Sequence, residues 1–163
     1  ASGKDDKVVW YENDGSESFT ARNINTPAFN AAQSVFAIDL DQDGDIDVLS
    51  PSTNDRKITW YENDGSENFT ARTITNNSGV NSVFAIDVDN DGDIDVLYAS
   101  YDNDKILWHE NTMEKGMVSG WTGADIITNV KINSVESGDV DNDGNIDVIA
   151  STYDTKKIFW YVS

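Results

Sequence analysis

Cysteine is absent from the 163 residues, so neither a disulfide nor a thiol nucleophile belongs to this protein's structure or chemistry. Histidine occurs once, at His109, and a hydrolytic triad would have to be built on that one side chain. Basic residues are scarce: 11 Lys and Arg stand against 30 Asp and Glu, for a formal charge of −19. With no basic stripe to neutralise phosphates, nucleic acid is not an expected partner. The chain also lacks the apolar run of about 18 residues that a membrane helix needs, and a leader-like N-terminus. Membrane insertion is not expected, and the chain reads as a mature or excised segment of a soluble protein.

What is abundant is aspartate, and it is patterned. One nine-residue motif occurs three times: Asp39-Leu-Asp-Gln-Asp-Gly-Asp-Ile-Asp47, Asp87-Val-Asp-Asn-Asp-Gly-Asp-Ile-Asp95 and Asp139-Val-Asp-Asn-Asp-Gly-Asn-Ile-Asp147. Fourteen of the 30 acidic residues lie in these loops. Oxygen-bearing side chains at positions 1, 3, 5, 7 and 9, with Gly at 6, match the first part of a calcium-wrapping loop. The candidate ligands are Asp39, Asp41, Asp43, Asp45 and Asp47, then Asp87, Asp89, Asp91, Asp93 and Asp95, then Asp139, Asp141, Asp143, Asn145 and Asp147. Asn145 stands where the other copies have Asp, as expected of a position that binds through its backbone carbonyl. Position 12, the bidentate Glu of an EF-hand, is here Ser50, Tyr98 or Ala150. The flanking segments are β-branched and alternating, which predicts a loop between two strands instead of two helices.

A plain hairpin turn needs one or two such residues, not carboxylates at every second position. At an effective dielectric of about 20, carboxylates roughly 4–5 Å apart repel by about 3–4 kcal/mol per pair. No Lys or Arg lies inside any loop to offset this. Three bound Ca²⁺ are therefore expected. The dissociation constants of such open sites, around 10⁻⁴–10⁻³ M, suit an extracellular location.

The loops recur with a period near 50, and so do Trp10, Trp60, Trp108 and Trp160. A fixed period of this size marks a repeat architecture. Each unit reads as four strands. Strand A is 34–38, 82–86 or 134–138, and strand B, about 46–49, 94–97 or 146–149, follows the aspartate loop. Strand C carries the Trp, as in 58–62, and strand D is 19–24 or 69–74. The turn Asn13-Asp-Gly-Ser-Glu17, repeated at 63–67, is hairpin chemistry between C and D. Trp121 takes the place of Phe19 and Phe69, after an expanded turn at 111–117, and reads as a core residue.

Four short strands per unit with a repeated aromatic is the pattern of a propeller blade. On the Asp-x-Asp-x-Asp-Gly-x-x-Asp loops between strands, the whole chain resembles the FG-GAP/VCBS repeat family, which includes the calcium-binding blades of the integrin α head and several lectins. The Phe-Gly and Gly-Ala-Pro signatures of integrin blades are absent. The resemblance implies an all-β fold of β-propeller-type blades. The units run 1–30 (a C-D half-blade), 31–78, 79–130 and 131–163 (A-B-C only). That gives 13 strands in about three repeats, fewer than the four to eight blades of usual propellers. The unmatched ends expose strand edges. They suit either a longer propeller or self-association, in which the N-terminal hairpin of one chain completes the C-terminal blade of another.

Function is read as a non-catalytic, extracellular, calcium-binding adhesion or interaction scaffold. The alternatives are a carbohydrate-binding lectin and a self-assembling subunit of a ring or filament. Expected partners are calcium and a glycan or cell-surface protein. Loop variation concentrates on the face opposite the aspartate loops, where Tyr101, Asp102, Tyr153 and Asp154 are candidate sugar contacts. His109 stands where other repeats have Tyr11, Tyr61 and Tyr161, which marks it as a repeat substitution and not a catalyst. The carboxylates that would suggest a glycosidase belong to the metal motif. Asn68 and Asn76 sit in glycosylation-type triplets.

Overall fold

Alternating β-branched and polar residues bounded by Asp-Gly turns produce strands throughout. A computed structural model describes residues 7–24, 32–77, 79–112, 121–129 and 131–161. The loop at 25–31, the turn at 113–120 and the triplet residue Ser78 lie outside these. Among the described residues there are 13 strands and no helix.

The first sheet is a hairpin, β1 (Val9–Asn13) and β2 (Phe19–Asn23). The second runs in order β3 (Phe36–Ile38), β4 (Asp47–Ser52), β5 (Lys57–Asn63) and β6 (Phe69–Thr75). The third contains β7 (Val80–Ile86), β8 (Asp95–Ser100), β9 (Lys105–Asn111) and β10 (Trp121–Thr128). The fourth contains β11 (Ile132–Gly138), β12 (Asp147–Thr152) and β13 (Ile158–Tyr161). All pairings are antiparallel between sequence neighbours, and the four sheets do not close into a ring. Trp121 pairs with Asn111 as Phe69 pairs with Asn63, so it occupies the expected place on the outer strand. Its ring packs against the core between the second and third sheets.

The first strand of each unit lies innermost. Phe36 of β3 and Phe84 of β7 meet with ring centroids 4.8 Å apart. The outer strands are tied in by ion pairs such as Arg22–Glu12 at 2.8 Å and Lys105–Asp125 at 2.5 Å.

The core lies between sheets, and each junction has the same composition. One face of the second sheet, with Leu49, Ile58 and Trp60, packs against Val83, Val96 and Tyr98 of the third. Leu97 and Ile106 of the third pack in turn against Val135 and Val148 of the fourth. Val8 and Ile24 pack against Val48 and Tyr61. Each blade thus offers a Trp face to the next blade and a face that carries Tyr in most units to the one before.

Candidate metal centre

Each aspartate loop links the innermost strand of a blade to its neighbour. The backbone makes the turn with two left-handed residues per loop. Gln42, Asn90 and Asn142 at position 4 have φ of 58°, 61° and 61°. Asn tolerates this conformation well, because its short side chain can bond locally. At position 6, φ is 104°, 101° and 96° for Gly44, Gly92 and Gly144, which no side chain-bearing residue adopts comfortably.

The aspartates then hydrogen-bond their own loop. Gly44 N–H donates to Asp39 at 3.0 Å, Gly92 N–H to Asp87 at 2.9 Å and Gly144 N–H to Asp139 at 3.1 Å. Position 3 accepts from position 5, and position 5 from position 7, as in Asp43 N–H to Asp41 (3.3 Å) and Asp45 N–H to Asp43 (2.9 Å). These local bonds orient the carboxylates inward. Oxygens of Asp39, Asp41 and Asp43 all lie within 4.8 Å of one another, as do those of Asp87, Asp89 and Asp95, and of Asp139, Asp141 and Asp147. Asp45 and Asp93 at position 7 stand outside these groups, as do Asp47 in the first loop and Asp143 in the third.

Position 9 has a second job that the motif alone did not reveal. Asp47, Asp95 and Asp147 are fully buried. Asp47 accepts the Leu40 N–H at 3.1 Å and the Asn63 N–H at 2.8 Å. Asp95 accepts those of Val88 at 3.0 Å and Asn111 at 2.7 Å. The carboxylate therefore joins the loop's start to the end of the third strand of the blade. The Asn side chain completes the tie by donating to the position 8 carbonyl, Asn63 to Ile46 at 3.1 Å and Asn111 to Ile94 at 3.0 Å.

A further acid was missed in the sequence. Glu110 on β9 gathers with Asp89 and Asp91 within the same 4.8 Å. In the first loop the pKa of Asp41, raised chiefly by burial and by Asp43, is raised further by the charge of Glu62, the equivalent residue on β5. The available signal was Trp-Tyr-Glu-Asn, in which Glu62 and Glu110 both fall 21 residues after position 3 of the loop. In the third unit that place belongs to Val162, outside the described residues.

The electrostatics are those of a site short of positive charge. Burial pushes Asp47 and Asp95 up to about 6, although the backbone N–H groups of Asn63 and Asn111 oppose the shift. Asp41, Asp89 and Asp141 are raised by burial first and then by the neighbouring carboxylates Asp43, Asp91 and Asp143. Asp39 Oδ1 is buried without a hydrogen-bond partner. An all-oxygen, all-carboxylate donor set with an unpartnered buried oxygen fits a hard divalent cation, Ca²⁺ in particular, and not a soft metal.

A family model of the FG-GAP-like repeat matches three overlapping stretches, residues 1–50, 39–98 and 87–150. The chain belongs to the FG-GAP-like repeat family. No curated protein matches it. FG-GAP-like repeats often bind calcium and are typically extracellular modules of an adhesion or interaction type, generally without enzymatic activity. No helix among the described residues is long and apolar enough to cross a membrane.

On the opposite face of these FG-GAP-like blades, Tyr101 and Tyr153 come together. Their rings meet edge to face with centroids 6.2 Å apart, and Lys131 Nζ lies 5.3 Å from the Tyr101 ring centre. Asp102 and Asp154 are exposed beside them. His109 sits among structural groups: its Nε2 is 2.9 Å from the Tyr98 hydroxyl, its ring lies over Gly123, and burial lowers its pKa.

Proposed function

We propose that the chain is a non-catalytic, extracellular interaction scaffold whose blades are held in shape by calcium at the three aspartate loops. The observation that carries this reading is the convergence of three carboxylates per loop, with none of their charge offset by a Lys or Arg of the loop. The ligands assigned are positions 1, 3 and 5, the carbonyl of position 7, and position 9, with Glu62 and Glu110 adding charge at the first and second sites. When bound, Ca²⁺ supplies positive charge that relieves carboxylate repulsion and favours their ionised form. The protein's own part is to hold the loop turn through Gly44, Gly92 and Gly144 and to join it to the blade through Asp47 and Asp95. Isothermal calorimetry tests the proposal: uptake of calcium with sub-millimolar to millimolar affinity is expected, and a flat titration sinks it.

A second reading concerns the partner. The edge-to-face pair Tyr101–Tyr153, flanked by Asp102 and Asp154, supports carbohydrate binding on the face opposite the loops, with the rings stacking on a sugar and the carboxylates accepting from its hydroxyls. A glycan array on the wild-type chain, repeated on Tyr101→Ala and Tyr153→Ala, decides between this and binding to a protein surface.

A further inference from the structure

The three aspartate loops are alike in themselves but not in what borders them. Glu62 on β5 and Glu110 on β9 hold equivalent places. After burial and the position 5 carboxylate, each of them raises the pKa of the position 3 aspartate of its loop. Both acids therefore face their loops. Of the two, Glu110 alone joins a ligand-sized group, with Asp89 and Asp91 within 4.8 Å.

The difference traces to the outer strand. On β6, Arg72 lies opposite Trp60 in the ladder, with its guanidinium carbon 5.9 Å from the Trp60 ring centre. From there it donates to Glu62 Oε2 through Nε at 2.5 Å and pairs with the same oxygen through Nη2 at 2.5 Å. The first hairpin repeats the arrangement, with Arg22 opposite Trp10 and paired to Glu12 at 2.8 Å. On β10 the register is kept, but the residue opposite Trp108 is Ala124. Glu110 has a neutral partner instead, the Thr122 hydroxyl, which donates to it at 2.7 Å. Among the described residues no Lys or Arg pairs with Glu110. The Arg72 and Glu62 side chains are only 32% and 22% exposed, so solvent screens their pairing little and the guanidinium offsets the Glu62 charge at the first loop.

The charge available to a cation differs accordingly. The second loop has five aspartates and a Glu110 bound only to a hydroxyl. The first has five aspartates and a Glu62 offset by Arg72. The third has four, with Asn145 at position 7 and Val162 in the place of the glutamate. Ligand charge tunes the affinity of calcium loops over decades. From this contrast we propose that Glu110 is a calcium ligand of the second loop, and that the sites fill in the order second, first, third. The register position held by Arg72 or Ala124 sets the gap between the first two. The proposal rests on the calcium reading. As free calcium falls, the third sheet keeps its ion after the second and fourth have lost theirs.

Gly44, Gly92 and Gly144 each donate their N–H to position 1 of their own loop, so each amide reports one site. With glycine isotope-labelled, NMR during a calcium titration is expected to show the Gly92 amide shifting at roughly tenfold lower calcium than Gly44, and Gly144 last. Three amides that shift together, or a Gly92 that does not shift first, overturn the order and leave calcium binding intact. Amides that stay still up to about 10 mM calcium, above the range of such sites, remove the calcium reading and this proposal with it. Ala124 is exposed, so Ala124→Arg leaves the core untouched. It should raise the Gly92 midpoint to that of Gly44 and leave Gly44 and Gly144 unmoved. Arg72→Ala should lower the Gly44 midpoint toward that of Gly92. Glu110→Gln should itself weaken the second site roughly tenfold, and adding Ala124→Arg to it should change the Gly92 midpoint by less than about twofold. A Gly92 midpoint that ignores Ala124→Arg overturns the role of this position. One that moves equally with and without Glu110 overturns ligation by Glu110.

Discussion

Asp95 shows how much one side chain can carry. It is buried, binds two backbone N–H groups and sits in a cluster of acids. Asp95→Ala strands the Val88 and Asn111 donors, at about 1–3 kcal/mol each, so urea unfolding without metal should lose about 2–6 kcal/mol. Asp95→Asn keeps an acceptor and removes the buried charge. It should cost less without metal yet lose most of the calcium-dependent gain at that site. The pH dependence follows from the raised values near 6 for Asp47 and Asp95. Between about pH 4 and 6 the folded chain binds more protons than the unfolded one, so metal-free stability falls as pH rises through this window. A shift of about two units corresponds to roughly 3 kcal/mol per group as an upper figure. In calcium the trend should reverse, because protonation expels the ion; melting curves at pH 4.5 and 7, with and without calcium, check both signs. The aspartate clusters were legible in the sequence, because carboxylates at alternate positions with no basic residue among them mark a turn that gathers like charges. The tie from position 9 to Asn63 and Asn111 was not, because a backbone N–H leaves no mark on composition.

At the level of strands, the same residue has opposite consequences at two addresses. Trp60 on β5 is sealed between sheets, and Trp160 on β13 is half exposed. Trp60→Ala should cost about 3–5 kcal/mol and Trp160→Ala less than about 1 kcal/mol, measured by denaturant unfolding of the two variants. The strands themselves were readable from period-2 patterning, the Asp-Gly turns and the 50-residue repeat: the count of 13 is met among the described residues, and the nine strands with a range read from the sequence lie within two or three residues of it. Those differences lie at strand ends, as with β4 and β8, which run on to Ser52 and Ser100, where polar residues keep ladder bonds that hydropathy does not reveal. Which face of each strand meets the blade ahead was not legible, because both faces are apolar in a sheet packed on both sides. Glu62 and Glu110 were hidden for a related reason: an acid in a strand reads as solvated edge until the loop it borders is in place.

For the molecule as a whole, charge and packing oppose each other. Three Ca²⁺ would bring −19 to −13, and each site held at 100 times its dissociation constant adds about 2.7 kcal/mol. In a chain of this length each kcal/mol moves the melting temperature by roughly 2–4 °C. EDTA should therefore lower it by about 15–30 °C if all three sites fill, and an unmoved transition contradicts the metal reading. The propeller class followed from the repeat count, whereas the open arrangement of four sheets depends on how the faces of successive blades meet, which no single stretch of sequence records. That every junction repeats one pairing, Trp side forward and Tyr side behind, gives the molecule a polarity like that of a polymer with unlike ends. Gln42 of the first loop reaching the Gly92 carbonyl of the second extends the same sense of direction along the rim. A gene that duplicated the 48 residues from Asp39 to Ile86 would inherit a finished joint on both sides. Growth by whole blades is thus open to this lineage without inventing a new surface, while reversal of a single blade is closed to it.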